Sequence, residues 1–86
     1  MKLTDKIPYY TALRSETLSD FRIKLWFADG KSGVVDFKPL LSKKLYAPLN
    51  DPSLFAKYHI FCGGLVWNDD IDICPEWLYD NAHEEI

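Results

Sequence analysis

The sequence predicts a single α+β domain: a small antiparallel sheet with two short helices, in the order β-β-β-α-β-β-α. Three observations predict it. Apolar and polar residues alternate from Phe21 to Phe27, the period of a half-buried strand. Glycine-bearing turns at Ala28-Asp29-Gly30 and Gly63-Gly64 join strand-like runs into hairpins. Asp51-Pro52 and Cys74-Pro75 each place a proline at a first helical position, where its missing N–H removes no intrahelical bond. The 86 residues allow one hydrophobic core, so residues 1–86 read as one domain. The 15% aromatic content gives that small core large apolar side chains.

The first strand is expected over residues 7–18, with Pro8 tolerated at its beginning. Ser19-Asp20 turns the chain. In the second strand Phe21, Ile23, Leu25 and Phe27 face one way and Arg22, Lys24 and Trp26 the other. A three-residue loop, Ala28-Asp29-Gly30, then pairs Phe21 with Phe37, Ile23 with Val35 and Arg22 with Asp36. A two-residue loop would instead set Ile23 against Asp36 and bury a carboxylate. The longer loop puts Gly30 at the left-handed position of a type I turn with a bulge.

Pro39-Leu40-Leu41 forms a short helical turn. Residues 42–50 connect, with Leu45, Tyr46 and Leu49 as anchors. Asp51 caps a helix that Leu54 and Phe55 dock. Residues 58–62 and 65–68 form a hairpin about Gly63-Gly64, with Ile60, Cys62, Leu65 and Trp67 on one face. Asn68-Asp69-Asp70 turns again, Ile71-Asp72-Ile73 makes a short edge strand, and Pro75 opens a final helix through about Ala82. Residues 83–86 are a frayed tail.

No catalytic, cofactor-binding or metal-ligating set emerges. His59, Cys62, Cys74 and His83 are the candidate zinc ligands, but His59 and Cys62 are three apart on a strand and diverge, and neither pair has knuckle spacing. Cys62 reads as a small core residue and Cys74 as a packed cysteine at a helix start. Asn68-x-Asp70-x-Asp72 mimics the opening of a calcium loop, but Ile73 stands where glycine is needed and Tyr79 where glutamate is. Gly63-Gly64 lacks the Lys-Ser or Lys-Thr of a phosphate loop. Arg22, Lys24 and Trp26 make a basic-aromatic strand face. The sequence pI near 5.2 disfavours nucleic acid, and an outward Trp26 is expected to pack under a helix.

Charge is sorted along the chain. All ten basic residues lie at or before Lys57, against six acidic ones there, a balance of +4. From Tyr58 onward there are seven carboxylates and no lysine or arginine, a balance of −7. That asymmetry suits a basic protein partner for the C-terminal part. Glu76 and Asp80, four apart, share a helix face. With Asp69, Asp70 and a bordering aromatic, Trp77, they form the candidate partner-binding patch. There is no bilayer-spanning apolar run and no signal-like apolar segment at the start, so the expectation is a cytoplasmic protein.

The motifs in their order are Phe27-x-Asp29-Gly30, Val35-x-Phe37-x-Pro39-Leu40-Leu41, Pro48-Leu49-x-Asp51-Pro52-x-Leu54-Phe55, Gly64-x-Val66-Trp67 and Asp72-Ile73-Cys74-Pro75-Glu76-x-Leu78-Tyr79. Over about residues 21–79 the chain resembles the small bacterial domain of unknown function numbered 2442. The resemblance implies an α+β domain with no established activity or catalytic residues. Its relatives stand alone, are fused to helix-turn-helix domains, or are paired with a second small protein in suspected toxin–antitoxin modules. The expected function is a non-enzymatic protein-binding module, and the resemblance points to the acidic, antitoxin-like member of such a pair. The alternative is a regulatory accessory to a DNA-binding protein, and an enzyme has the least support.

Overall fold

The computed structural model describes residues 8–68 and 71–83. Among the described residues, six strands form two three-stranded antiparallel sheets rather than one. The first holds β1 (Ala12–Thr17), β2 (Arg22–Phe27) and β3 (Ser32–Asp36), and the second β4 (His59–Phe61), β5 (Gly64–Asn68) and β6 (Ile71–Ile73), each in sequence order. Between the sheets run α1 (Lys38–Leu41), a 3-10 helix (Lys44–Asn50) and α2 (Pro52–Phe55), and α3 (Pro75–Asn81) follows β6. The fold is thus α+β in the predicted order. Among the described residues no helix is long and apolar enough to cross a membrane.

The first strand starts later than expected. Residues 8–11 form a turn in which Thr11 N–H donates to the Pro8 carbonyl at 3.1 Å, and β1 begins at Ala12. An extra residue, Leu13, bulges between the Ala12–Phe27 and Arg14–Trp26 pairs and is left exposed.

The β2–β3 hairpin has the predicted register: Arg22 opposite Asp36 and Ile23 opposite Val35. Gly30 has φ +95, and the Phe37 N–H donates to the Phe21 carbonyl at 2.9 Å. Ile23, Leu25, Phe27 and Val35 are buried on one face. The charges opposite one another do not pair directly. Arg22 turns to the Ser19 carbonyl at 3.2 Å, while Asp36 takes the Lys38 backbone N–H at 3.0 Å and the Lys38 ammonium at 3.7 Å. Proximity to its own following turn outcompetes the cross-strand partner.

The second hairpin turns one residue earlier than expected. Cys62 (φ 52) and Gly63 (φ 81) are its loop, and Phe61 pairs with Gly64. Both loop residues are left-handed, as a tight type I′ turn demands. Gly64 is withheld for another purpose: a Cβ there would sit 2.5 Å from the Ile73 carbonyl oxygen, so only glycine lets β6 lie this close. Ile60 opposes Leu65 rather than Trp67, a two-residue shift in pairing that keeps the same apolar face. Cys62 does not join the core. It is exposed on the turn, and Cys74, at the start of α3, is exposed as well.

The connection is more ordered than its sequence suggested. Leu49 is fully buried and Tyr46 half-buried, but Leu45 is exposed. A 3-10 helix stacks residues three apart on one side, which aligns Tyr46 with Leu49 and leaves Leu45 outside. Asp51 caps α2 as predicted, its carboxylate accepting the Ser53 N–H at 3.0 Å. His83, expected in a frayed tail, instead pairs with Val34 of β3 through both backbone bonds, at 2.7 and 3.0 Å.

The two sheets share one core. Phe37, with no exposed surface, lies 5.5 Å from Phe55 and 6.1 Å from both Trp67 and Trp77, ring centre to ring centre. The Trp67 indole N–H donates to the Phe55 carbonyl at 2.9 Å. Two further ties bind β1 to the second sheet. The Ala12 N–H donates to the Gly63 carbonyl at 3.0 Å, and the Tyr58 hydroxyl donates to Ser15 at 2.8 Å and accepts from Thr17 at 3.2 Å.

Gly30→Ala meets open space and pays only for its left-handed backbone, about 1 kcal/mol. Gly64→Ala must move β6 and costs more, about 2–3 kcal/mol. Urea denaturation of the two variants should rank them in that order. Trp67→Phe keeps a ring but leaves the Phe55 carbonyl without its buried donor, a loss of about 1–3 kcal/mol by the same measurement.

Candidate functional site

Helix α3 is amphipathic over only seven residues, and its neighbours split between two clefts. Leu78 points inward and is fully buried. Glu76 and Asp80, both exposed, line a cleft of about 190 Å³ together with Tyr9, Tyr10 and Tyr79. The half-buried Trp77 lies elsewhere. With Leu40, Tyr46, Asp72 and Cys74 it lines a larger cleft of about 420 Å³ between α1, the 3-10 helix and β6. Residues two apart on a helix project about 160° from each other, so Trp77 and Tyr79 fall on opposite sides of α3. The aromatic bordering the two carboxylates is therefore Tyr79, joined by Tyr9 and Tyr10. Asp69 and Asp70 lie outside the described residues.

Tyr79 is the best-anchored residue of the site. Its hydroxyl donates to Asp29 at 2.5 Å, on the β2–β3 loop. The Lys31 ammonium sits 4.1 Å from its ring centre and donates to its carbonyl at 2.9 Å, placing a cation at the C-terminal end of α3. Phe27 and Tyr9 meet the same ring edge-on at 5.0 and 5.1 Å. Accepting the Tyr79 hydroxyl and the Lys31 N–H holds the Asp29 carboxyl below its ordinary value. The same bond to Asp29 pushes the Tyr79 phenol up to about 12, with burial and the Asp29 charge adding to it. Tyr9 and Asp80 contribute in the same direction, consistent with their place beside it.

The contributions of Tyr9, Tyr10 and Asp29 were not among the sequence-derived candidates. Asp29 was visible only as a turn residue, and nothing local links positions 9 and 29 to position 79. The other candidates stand apart from this site. His59, Cys62, Cys74 and His83 are all exposed, and no group of three or more His, Cys, Asp and Glu side chains converges among the described residues. The Asn68 side chain accepts the Ile71 N–H at 3.0 Å. Trp26 does not pack under a helix. It lies half-buried on the outer face of the first sheet, with the Arg14 guanidinium 4.4 Å and the Lys24 ammonium 5.1 Å from its ring.

Fold and site together define a small α+β domain that carries a tyrosine-walled acidic cleft on its last helix. The chain belongs to the family described as protein of unknown function (DUF2442), whose model matches residues 16–84. That span takes in Glu76, Tyr79 and Asp80 and leaves out Tyr9 and Tyr10. Comparison with curated proteins and with solved structures gave no match.

The Asp29–Tyr79 pair makes stability depend on pH at both ends. A lowered carboxyl pKa contributes stability above the ordinary 3.8, lost as pH falls through the folded-state value. A raised phenol pKa contributes stability below the ordinary 10.0, lost as pH rises through about 12. Tyr79→Phe should lower the urea midpoint at neutral pH and return the Asp29 carboxyl toward 3.8 in a carbon-13 titration. Its deficit against the unaltered protein should shrink in acid. A deficit constant across the acid range is the contrary result.

Proposed function

We propose that this chain is a non-enzymatic protein-binding module whose α3 face receives a basic partner protein. One observation carries the reading. Glu76 and Asp80 stand exposed on the same side of α3, beside three tyrosine rings, and among the described residues neither is in an ion pair. Aromatic rings supply contact area at interfaces, while unpaired charges steer encounter. The charge asymmetry along the chain supports a partner of opposite sign. Family membership extends the reading to the acidic, antitoxin-like member of a two-protein module, with a small basic protein as its counterpart.

A second reading is favoured by the outer face of the first sheet, where Arg14 and Lys24 flank the half-buried Trp26. It makes the chain a regulatory accessory to a DNA-binding protein.

The two readings part under charge reversal. Glu76→Lys combined with Asp80→Lys should slow association with the proposed basic partner by about tenfold or more at low salt, measured by stopped flow or surface plasmon resonance. The difference should fade as salt rises. An unchanged association rate at low salt, with loss of binding in Trp26→Ala instead, favours the accessory reading.

A further inference from the structure

We propose that the cleft between Tyr9, Tyr10 and α3 receives the guanidinium of an arginine side chain on a partner protein. The occupant's being a partner rests on the function proposed above. The cleft's chemistry stands on its own geometry.

Its walls are phenol rings. Tyr9 lies 5.2 Å from Tyr10 and 5.1 Å from Tyr79, each pair edge-to-face, so the rings present differently oriented π surfaces to one small space. Such surfaces attract cations. The remaining lining groups, Glu76 and Asp80, are carboxylates. The described ion pairs in this protein join Lys38 to Asp20 and Asp36, away from this cleft, so both anions are available to a cation from outside. Lys31, the lysine beside Tyr79 among the described residues, is committed to the Tyr79 ring and carbonyl.

Size and rigidity narrow the ligand. A space of about 190 Å³ is below the volume of sites for whole small molecules, roughly 300–1,000 Å³, and suits a single side-chain head. The wall formed by Tyr79 is held at its hydroxyl by Asp29, at its carbonyl by Lys31 and at its edge by Phe27. A wall already fixed loses little freedom on binding. Arginine fits better than lysine, because a planar guanidinium stacks on a ring while donating two parallel bonds to a carboxylate.

The test is a nuclear magnetic resonance titration with N-acetyl-arginine methylamide, and with the lysine counterpart for comparison. The expected result is saturable shifts confined to residues 9, 10, 76, 79 and 80, with arginine bound more tightly than lysine. Glu76→Gln combined with Asp80→Asn should weaken arginine binding about tenfold, with the rest of the spectrum unchanged. Tyr9→Leu, at a 59% exposed position, should weaken it without unfolding. Absence of saturable shifts, or equal binding by the double variant, overturns the inference. The two readings fail separately. Arginine bound as expected, with partner association indifferent to Glu76 and Asp80, sinks the proposed function and leaves the cleft. Partner association that needs both carboxylates, with the tyrosine signals unmoved by arginine, sinks the cleft and leaves the function.

Discussion

The hydrogen bond from the Trp67 indole to the Phe55 carbonyl joins the two halves of this protein inside its core. A four-residue helix such as α2 has no stability of its own, and a three-stranded sheet is marginal without something packed on its face. Phe55 supplies that cover from α2 and touches Phe21, Phe37 and Trp67 at 5.3–6.0 Å. The bond fixes where α2 sits over β5, and the rings then set how the first sheet leans on the second. Phe21 shows the strength of the cluster. It keeps a left-handed backbone, φ 58, while its ring packs on Phe55 and its carbonyl accepts from Phe37.

Local pattern made the β2–β3 hairpin legible. Its apolar alternation, its loop length and its glycine all point to one register, and that agreement left no competing solution. The β4–β5 turn was harder because two adjacent glycines serve different purposes. Gly63 bends the chain, and Gly64 makes room for the Ile73 carbonyl. Only the second sheet's packing distinguishes them, and sequence pattern carries no trace of it. Residues 8–11 depart from the expected strand for a related reason, since they are recruited by a turn and by Tyr79 and not by a strand ladder, while Ile7 lies outside the described residues.

The site divides along the same line. That Glu76 and Asp80 share a face follows from helical spacing and needs no tertiary information. Which aromatic accompanies them depends on the direction in which α3 is docked. Leu78 is drawn into the core, which sends Trp77 to one side and Tyr79 to the other. Tyr9 and Tyr10 enter from about seventy residues away along the chain, a separation that no local signal bridges. The exposed cysteines make the converse point. Cys62 was expected inside because its residue type favours the interior, but a left-handed turn position took it to the surface.

The pairing of His83 with Val34 closes the outer edge of the first sheet with the protein's own backbone. Gly33 permits it, since a side chain there would meet Ala82 and His83 at 3.0 Å. An uncovered edge of this kind offers a template on which a second copy can stack its own strand. Ala82 and His83, directly after α3, thus cover one position of that edge with the protein's own backbone, from a point in the sequence nearly fifty residues beyond it.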